Sequence, residues 1–375
     1  MRKILQLLIS VLIGAIVWPV MASPITGLGE NILALGVHAS KQGERLLILA
    51  GRRAPNKDFG PFVEIGIIDL RTSSGTASFA KVPGLDGDEV GDFQSTFSSD
   101  GEFYFAKTAG TDAIQVGKMR HDQFVAAQIQ LPPSMSSGGI RVQHLTALEG
   151  GGLDIGINSN GDGVLITLNP DLTVKSMLPI RQSTEFQAVL RLSGADRFLV
   201  ASAIGEPNVS GNITNYLALR GADLAPSATG TATVRGFPST PLVSPDGSRI
   251  ALSTSSVFPG RVVVHLFEPS LAKIASLVII EKPSYPNLVS FLLSNSKLVA
   301  LHAEDGQCFA TLANSRDGRL IERRKLTDLS ELRCVDVSGA IAGSRLALVL
   351  TTMSVKSTDV STSVATQFMR LDAPE

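Results

Sequence analysis

Three features of the sequence predict an all-β protein, a single β-propeller with seven blades of four antiparallel strands. A polar turn, usually with Gly, precedes a short apolar run at seven places along the chain. Successive runs are about 50 residues apart, a spacing that suits propeller blades. Only strand and turn signals lie between the runs, whereas helical repeats carry a helical periodicity.

The seven apolar runs begin at Leu46, Phe103, Leu153, Phe198, Ile250, Leu298 and Leu346. Gly-rich or Asn-Pro-Asp turns divide the clearest units into four strands. The third unit predicts strands at 143–148, 153–157, 164–168 and 173–179, and the fifth at 241–244, 249–253, 261–267 and 272–280. Seven such units fill almost the whole chain, so we expect no second domain.

The last unit supplies three strands, at 334–339, 345–352 and 364–372. We therefore expect segment 25–30 to provide its outer strand and to join the two ends of the ring, which would otherwise fray. Three alternative folds remain open: a six-bladed ring with irregular ends, a pair of β-sandwiches and a β-helix.

The first residues predict an export signal. Arg2 and Lys3 precede an apolar run at 4–17, and Val20 and Ala22 are suitable small residues before a cleavage site. The run is shorter than the roughly 20 residues that a spanning helix needs. We expect a signal peptide at 1–22 and a propeller domain at 23–375, soluble in the periplasm or secreted. An uncleaved membrane anchor is the alternative.

The amino-acid composition argues against some classes of binding partner. Hydrophobic residues make up 44% of the chain and charged residues 18%, and the formal net charge is −1. This balance supplies a core but no basic surplus, so we expect neither nucleic-acid binding nor an integral membrane protein. The only tryptophan, Trp18, lies in the predicted signal. A stacked-indole ligand platform is therefore not expected.

Cys308 and Cys334 are the only cysteines. An even pair in an exported chain predicts one disulfide. Two separate buried thiols are the alternative. The spacing excludes a redox Cys-x-x-Cys site, and no Cys-x-x-Cys-His motif for covalent haem occurs. We predict no cofactor.

One blade carries a recognisable motif. The stretch Val243-Ser-Pro-Asp-Gly-Ser-Arg-Ile-Ala-Leu resembles the Ser-Pro-Asp-Gly signature of Tol-type (TolB-like) periplasmic propeller repeats, and Phe97-Ser-Ser-Asp-Gly-Glu-Phe is a weaker copy. The resemblance covers the blade repeats and implies an Asp-Gly turn between the inner two strands. Similar blades build docking scaffolds, lactonase-like enzymes and quinoprotein subunits, so the resemblance leaves the function open.

A four-stranded blade has two rims. We call the rim with the first-to-second and third-to-fourth turns the short-turn rim, and the rim with the second-to-third and blade-to-blade connections the long-loop rim. The long-loop rim is expected to carry segments 51–62, 83–93, 132–140, 205–215, 257–260, 303–307 and 353–363. Insertions on one face commonly mark a binding side, so we expect binding there. Drift in solvated loops is the alternative.

Charged residues on the long-loop rim are the candidates for binding a ligand or partner. They are Arg52, Arg53 and Lys57 in one loop, Asp86, Asp88, Glu89 and Asp92 in the next connection, and His302 with Asp305 further along. The acidic set could hold Ca²⁺, with a solvated loop as the alternative. Apart from this possible Ca²⁺ site, the sequence does not identify a bound metal. Asn158 to Gly163 begins like a calcium loop, but Asn169 stands where Glu is needed, which favours a hairpin turn.

The sequence therefore favours an exported propeller that acts as a binding scaffold for another envelope or secreted protein. No Gly-x-Ser-x-Gly, His-Glu-x-x-His or P-loop motif occurs, and we assign no catalytic residue. The alternative is a metal-assisted hydrolase or lactonase-like enzyme that uses His302 and neighbouring acidic residues at the mouth of the channel.

Overall fold

The chain folds into seven separate antiparallel sheets, one for each blade of a β-propeller. This confirms the predicted fold class and the count of seven. The computed structural model describes residues 23–24, 31–40, 44–54, 62–72, 76–86, 93–120, 123–133, 139–159, 162–180, 185–192, 197–205, 213–225, 228–257, 260–281, 289–326, 333–342, 344–356 and 359–370. Within these ranges no helix is long and apolar enough to cross a bilayer.

The strands are numbered in chain order. Strand β1 is Ser23–Pro24; blade 1 contains β2 to β5, Ile32–Ala39, Arg45–Arg53, Phe62–Arg71 and Thr76–Lys81; blade 2 contains β6 to β9, Phe93–Phe97, Phe103–Thr108, Ala113–Arg120 and Gln123–Gln130. Blade 3 contains β10 to β13, Ile140–Ala147, Leu153–Ser159, Asp162–Leu168 and Val174–Ile180; blade 4 contains β14 to β17, Glu185–Arg191, Arg197–Gly205, Ile213–Gly221 and Gly230–Arg235.

Blade 5 has an interrupted first strand, because β18 and β19 both pair with β20. Its strands β18 to β22 are Phe237–Pro238, Leu242–Val243, Ile250–Val257, Gly260–Phe267 and Lys273–Glu281. Blade 6 contains β23 to β26, Ser290–Leu293, Lys297–Glu304, Gln307–Asn314 and Leu320–Lys325. Blade 7 contains β27 to β29, Arg333–Ala342, Arg345–Lys356 and Asp359–Arg370.

The core lies between the blades. The second and third strands are mostly buried, whereas fourth strands such as β9 and β26 alternate exposed and half-buried residues, as expected at the outer edge. Leu46 and Ile48 of blade 1 pack with Ala347 and Val349 of blade 7, so the first and last blades share one apolar cluster. Each sheet therefore buries both faces, and the ring is continuous across its ends.

The closing strand comes from the N-terminal side, as predicted, and its described part is Ser23–Pro24. Strand β1 pairs with β29 through Ser23 opposite Thr366 and Pro24 opposite Ala365. Segment 25–30, which was expected to provide this strand, lies outside the described residues. The pairing completes blade 7 with a fourth strand taken from the other end of the chain.

Three of the segments predicted for the long-loop rim are not long loops. Strand β20 ends at Val257 and β21 begins at Gly260, so two residues connect them. Two residues also connect β24, which ends at Glu304, to β25, which begins at Gln307. Segment 353–363 is mainly strand, because β28 and β29 stay paired as far as Lys356 opposite Asp359. The hairpin predicted for the calcium-like segment is confirmed by Ser159 pairing with Asp162.

Candidate functional site

A two-stranded ribbon extends the long-loop rim at blade 7. The first strand β27 stops pairing with β28 at Arg333 opposite Met353. Strands β28 and β29 continue for three more pairs, the last being Lys356 opposite Asp359. At about 3.4 Å for each residue, the ribbon reaches roughly 10 Å past the first strand of its blade. Since an isolated ribbon adds little to a core, this extension mainly shapes the surface.

Asn31 joins the base of this ribbon to blade 1. Its backbone N–H donates to the Thr362 carbonyl at 2.8 Å, and its own carbonyl accepts from the Arg53 N–H at 2.9 Å. Its φ of 65° is left-handed, a conformation that Asn tolerates better than most residues. No local sequence pattern indicates this role for Asn31, because Thr362 and Arg53 are 331 and 22 residues away along the chain.

Arg52 lies on strand β3 rather than in the predicted loop. Its Nη1 is 3.1 Å from Glu64 Oε2, and its guanidinium lies over the Phe79 ring at 4.2 Å. Gly66 makes room for that ring, since a Cβ there would lie 2.3 Å from it. Ala50, two residues earlier on the same face, packs towards blade 7, so Arg52 faces the ribbon side.

The remaining charged candidates are only partly described. Arg53 also ends β3, with its guanidinium 5.0 Å from the centre of the Phe62 ring. Asp86 is exposed after blade 1. Lys57, Asp88, Glu89 and Asp92 lie outside the described residues. The structure therefore places Arg52, Arg53 and the ribbon at one junction, and leaves the acidic connection untested.

His302 is on strand β24 and is fully buried, at 0% exposure. It stacks on Phe309 with ring centres 5.5 Å apart, and neither ring nitrogen has a hydrogen-bond partner among the described residues. Its Nε2 is 3.7 Å from Glu304 Oε2. Asp305 occupies the two-residue turn with φ of 50°. A channel-facing histidine, as the enzyme hypothesis supposed, is therefore wrong for His302.

Two other histidines are buried with hydroxyl partners. His144 Nε2 bonds the Thr146 hydroxyl, and His265 contacts Thr254 Oγ1 and Ser276 Oγ, both at 3.0 Å. Burial lowers the pKa of each to about 4. Both are neutral at pH 7 as a result. Within the described ranges, no group of three or more His, Cys, Asp or Glu could hold a metal.

Among the described residues, the short-turn rim includes two inter-blade cavities that the sequence did not predict. A cavity of about 210 Å³ lies between blades 1 and 2, where Arg45 bonds Asp69. A larger one of about 840 Å³ lies between blades 3 and 4. Beside the larger cavity, buried Asp154 accepts bonds from Thr167 Oγ1 at 2.7 Å and Arg191 Nε at 3.1 Å. The long separations along the sequence explain why no local pattern revealed them.

Replacing Arg191 with Met is expected to lower the free energy of unfolding by about 2 kcal/mol. It leaves the carboxylate of Asp154, only 2% exposed, without its charge partner, although the partial exposure of Arg191 moderates the cost. Denaturant unfolding followed by circular dichroism measures the change. Arg261→Met is the control, because its pair with Glu281 is exposed and should contribute under about 1 kcal/mol. Equal costs would contradict the prediction.

The fold and its closure define the chain as a seven-bladed β-propeller. No family model and no curated protein matches it. Solved propellers are similar: the β-propeller domain of the Trilobed protease from Pyrococcus furiosus has a TM-score of 0.52 at 11% identity, covering 91% of this chain and 100% of that one.

Two other solved structures resemble the chain. Polysaccharide lyase Uly1 has a TM-score of 0.58 at 9% identity, with 90% of each chain covered. A putative 6-phosphogluconolactonase from Bacteroides fragilis has a TM-score of 0.51 at 14% identity, covering 90% of this chain and 98% of that one. At such identities the similarity shows the fold and carries no activity over to this chain.

Proposed function

We propose that this protein is an exported, soluble propeller related to Tol-type repeat proteins, which binds another envelope or secreted protein through its long-loop rim. The observation that carries the proposal is the blade 7 ribbon, whose base is bonded through Asn31 to the strand end that holds Arg52 and Arg53. A projecting ribbon beside fixed cations offers a shaped and charged surface to a protein partner.

Arg52 suits such a role because its position is preorganised. Glu64 and the Phe79 ring hold the guanidinium in place, while the Arg52 side chain remains 34% exposed. Little side-chain entropy is then lost on binding, and arginine contributes strongly at protein interfaces. Cleavage after Ala22 would place Ser23, the first residue of the closing strand, at the new N-terminus.

Arg52→Ala is expected to weaken partner binding at least about tenfold, as loss of a charged interface anchor does. Arg45→Ala is the matched control: Arg45 lies on the same strand at the opposite rim, pairs with Asp69 at 2.6 Å and has similar exposure. Affinity purification of the mature protein from its native compartment, with mass spectrometry and elemental analysis, measures partner recovery and metal content together.

A second variant tests the ribbon without touching the arginines. Joining Met353 to Thr362 by an Asn-Gly turn removes the projecting pairs and should leave the blade folded. The partner should be lost from this variant and from Arg52→Ala, and kept by Arg45→Ala. Equal recovery from all forms would refute the proposal. Stoichiometric metal with no partner would instead favour a metal-assisted hydrolase, using residues other than buried His302.

A further inference from the structure

The cavity between blades 3 and 4 has the size of a small-molecule site. Its volume of about 840 Å³ falls within the range of about 300–1,000 Å³ typical of ligand pockets. It opens on the short-turn rim, opposite the surface proposed for protein binding. A ligand bound there would occupy a different surface from a protein partner on the long-loop rim.

One wall of the cavity presents a fixed arginine. Arg191 uses Nε and Nη2 to bond Asp154, at 3.1 and 3.4 Å, and lies over the Phe198 ring at 4.6 Å. Its side chain is nevertheless 39% exposed, and Nη1 has no partner within the described part of the chain. A donor held in this way loses little freedom on meeting an anion.

A second cation lines the same cavity. Lys175, near the start of β13, is exposed and makes no ion pair with any described residue. Glu149 is the single acidic side chain among the described lining residues. The carboxylate of Asp154 is already engaged by Thr167 and Arg191. The free donors in the cavity are thus cationic, which favours an anionic ligand.

Three hydroxyl groups complete the polar lining, those of Thr146, Thr167 and Ser176. Thr167 donates to Asp154, and Thr146 is bonded to His144, so both hydroxyl oxygens are fixed and keep lone pairs for a ligand. Fixed acceptors beside two cations are matched by a ligand that carries hydroxyl donors as well as a negative group.

We propose that this cavity binds a small hydroxylated anion, a sugar acid or sugar phosphate. Arg191 and Lys175 receive the carboxylate or phosphate, and the threonine and serine hydroxyls receive hydroxyls of the ring. Planar Arg191 suits bidentate recognition of either group, and Lys175 adds a point charge.

Titration calorimetry of the full mature protein tests the proposal with D-glucuronate, D-glucose 6-phosphate and D-glucose. We expect one equivalent of at least one anion to bind, and uncharged glucose to bind at least about tenfold more weakly. The two anions distinguish a carboxylate ligand from a phosphate ligand. Binding of neither anion at millimolar concentration, or equal binding of glucose, overturns the proposal.

Variants locate the binding. Lys175→Ala should weaken it about tenfold without affecting the fold, because the side chain is exposed. Lys273→Ala is the matched control, an exposed lysine at the start of the fourth strand of blade 5. Arg191→Lys keeps a positive charge beside Asp154 but loses the planar set of guanidinium N–H donors, so it should weaken binding as well. Unchanged affinity in Lys175→Ala, or an equal loss in Lys273→Ala, overturns the assignment.

Discussion

Lowering the pH from about 6.5 to about 4 is expected to destabilise the folded protein by several kcal/mol. His144, His265 and His302 are buried, and desolvation lowers the pKa of each from 6.5 to about 4. Each takes up its proton more readily after unfolding, so its contribution is complete above pH 6.5 and is lost as the pH falls towards 4. The loss is on the order of 2–3 kcal/mol for each histidine.

Denaturant unfolding at a series of pH values measures this effect, and His302→Leu provides the control. The variant removes one of the three histidines with the largest shifts, while His38, whose pKa burial also lowers, stays in place. It also removes two ring nitrogens that have no hydrogen-bond partner among the described residues. It should reduce the pH slope by about a quarter to a third and stabilise the protein at pH 7 by about 1 kcal/mol. The carboxylates of Asp100 and Asp246, with lowered pKa, act below about pH 4. Burial raises the pKa of Asp336, so this carboxyl group offsets part of the loss as the pH falls. A flat profile between pH 6.5 and 4 would contradict the prediction.

The sequence predicts the blades well because their signals are local. Alternating apolar residues and turn chemistry delimited the strands of blade 3 to within three residues, including β12 at Asp162–Leu168. Blade 5 shows where this fails. Its first strand was predicted at 241–244, whereas the structure splits it into β18 and β19. Pro238 and Pro241 interrupt the strand because proline has no N–H to donate to a neighbouring strand.

Two of the segments predicted as long loops contain residues that indicate strands and tight turns instead. Asp305-Gly306 is a dipeptide that favours a two-residue hairpin turn, and both residues have positive φ. Segment 353–363 was assigned to the long-loop rim as a loop, but Val355 and Val360 are β-branched and stand opposite each other in the ribbon. These β-branched residues favour strands on both sides of a short turn.

The candidate site was less predictable because it depends on packing between blades. Nothing near His302 in the sequence indicates that Phe309 and the facing blade remove it from solvent. Asp154 and Arg191 are 37 residues apart and meet across two blades. Arg52 and Arg53 were identified by charge alone, and their fixation by Phe79 and Phe62 requires the strand register.

Removing the pair of cysteines is expected to cost about 3 kcal/mol of stability. The sulfurs of Cys308 and Cys334 are placed as a disulfide, with Cα atoms 5.4 Å apart, between the third strand of blade 6 and the first strand of blade 7. The bond would close a loop of 26 residues, worth about 3.5 kcal/mol in the chain-entropy model. It also restrains blade 7, the blade that β1 completes from the other end of the chain.

Guanidinium unfolding of the double variant Cys308→Ala, Cys334→Ala measures the cost, followed by circular dichroism because the predicted mature chain lacks tryptophan. Alanine avoids a buried hydroxyl, since both positions are at most 8% exposed within the cluster shared by blades 6 and 7. A reducing agent should lower the stability of the unmodified protein by a similar amount and leave the double variant unchanged. If the reducing agent affects neither, the two cysteines are separate buried thiols, and blades 6 and 7 are held together by their apolar cluster alone.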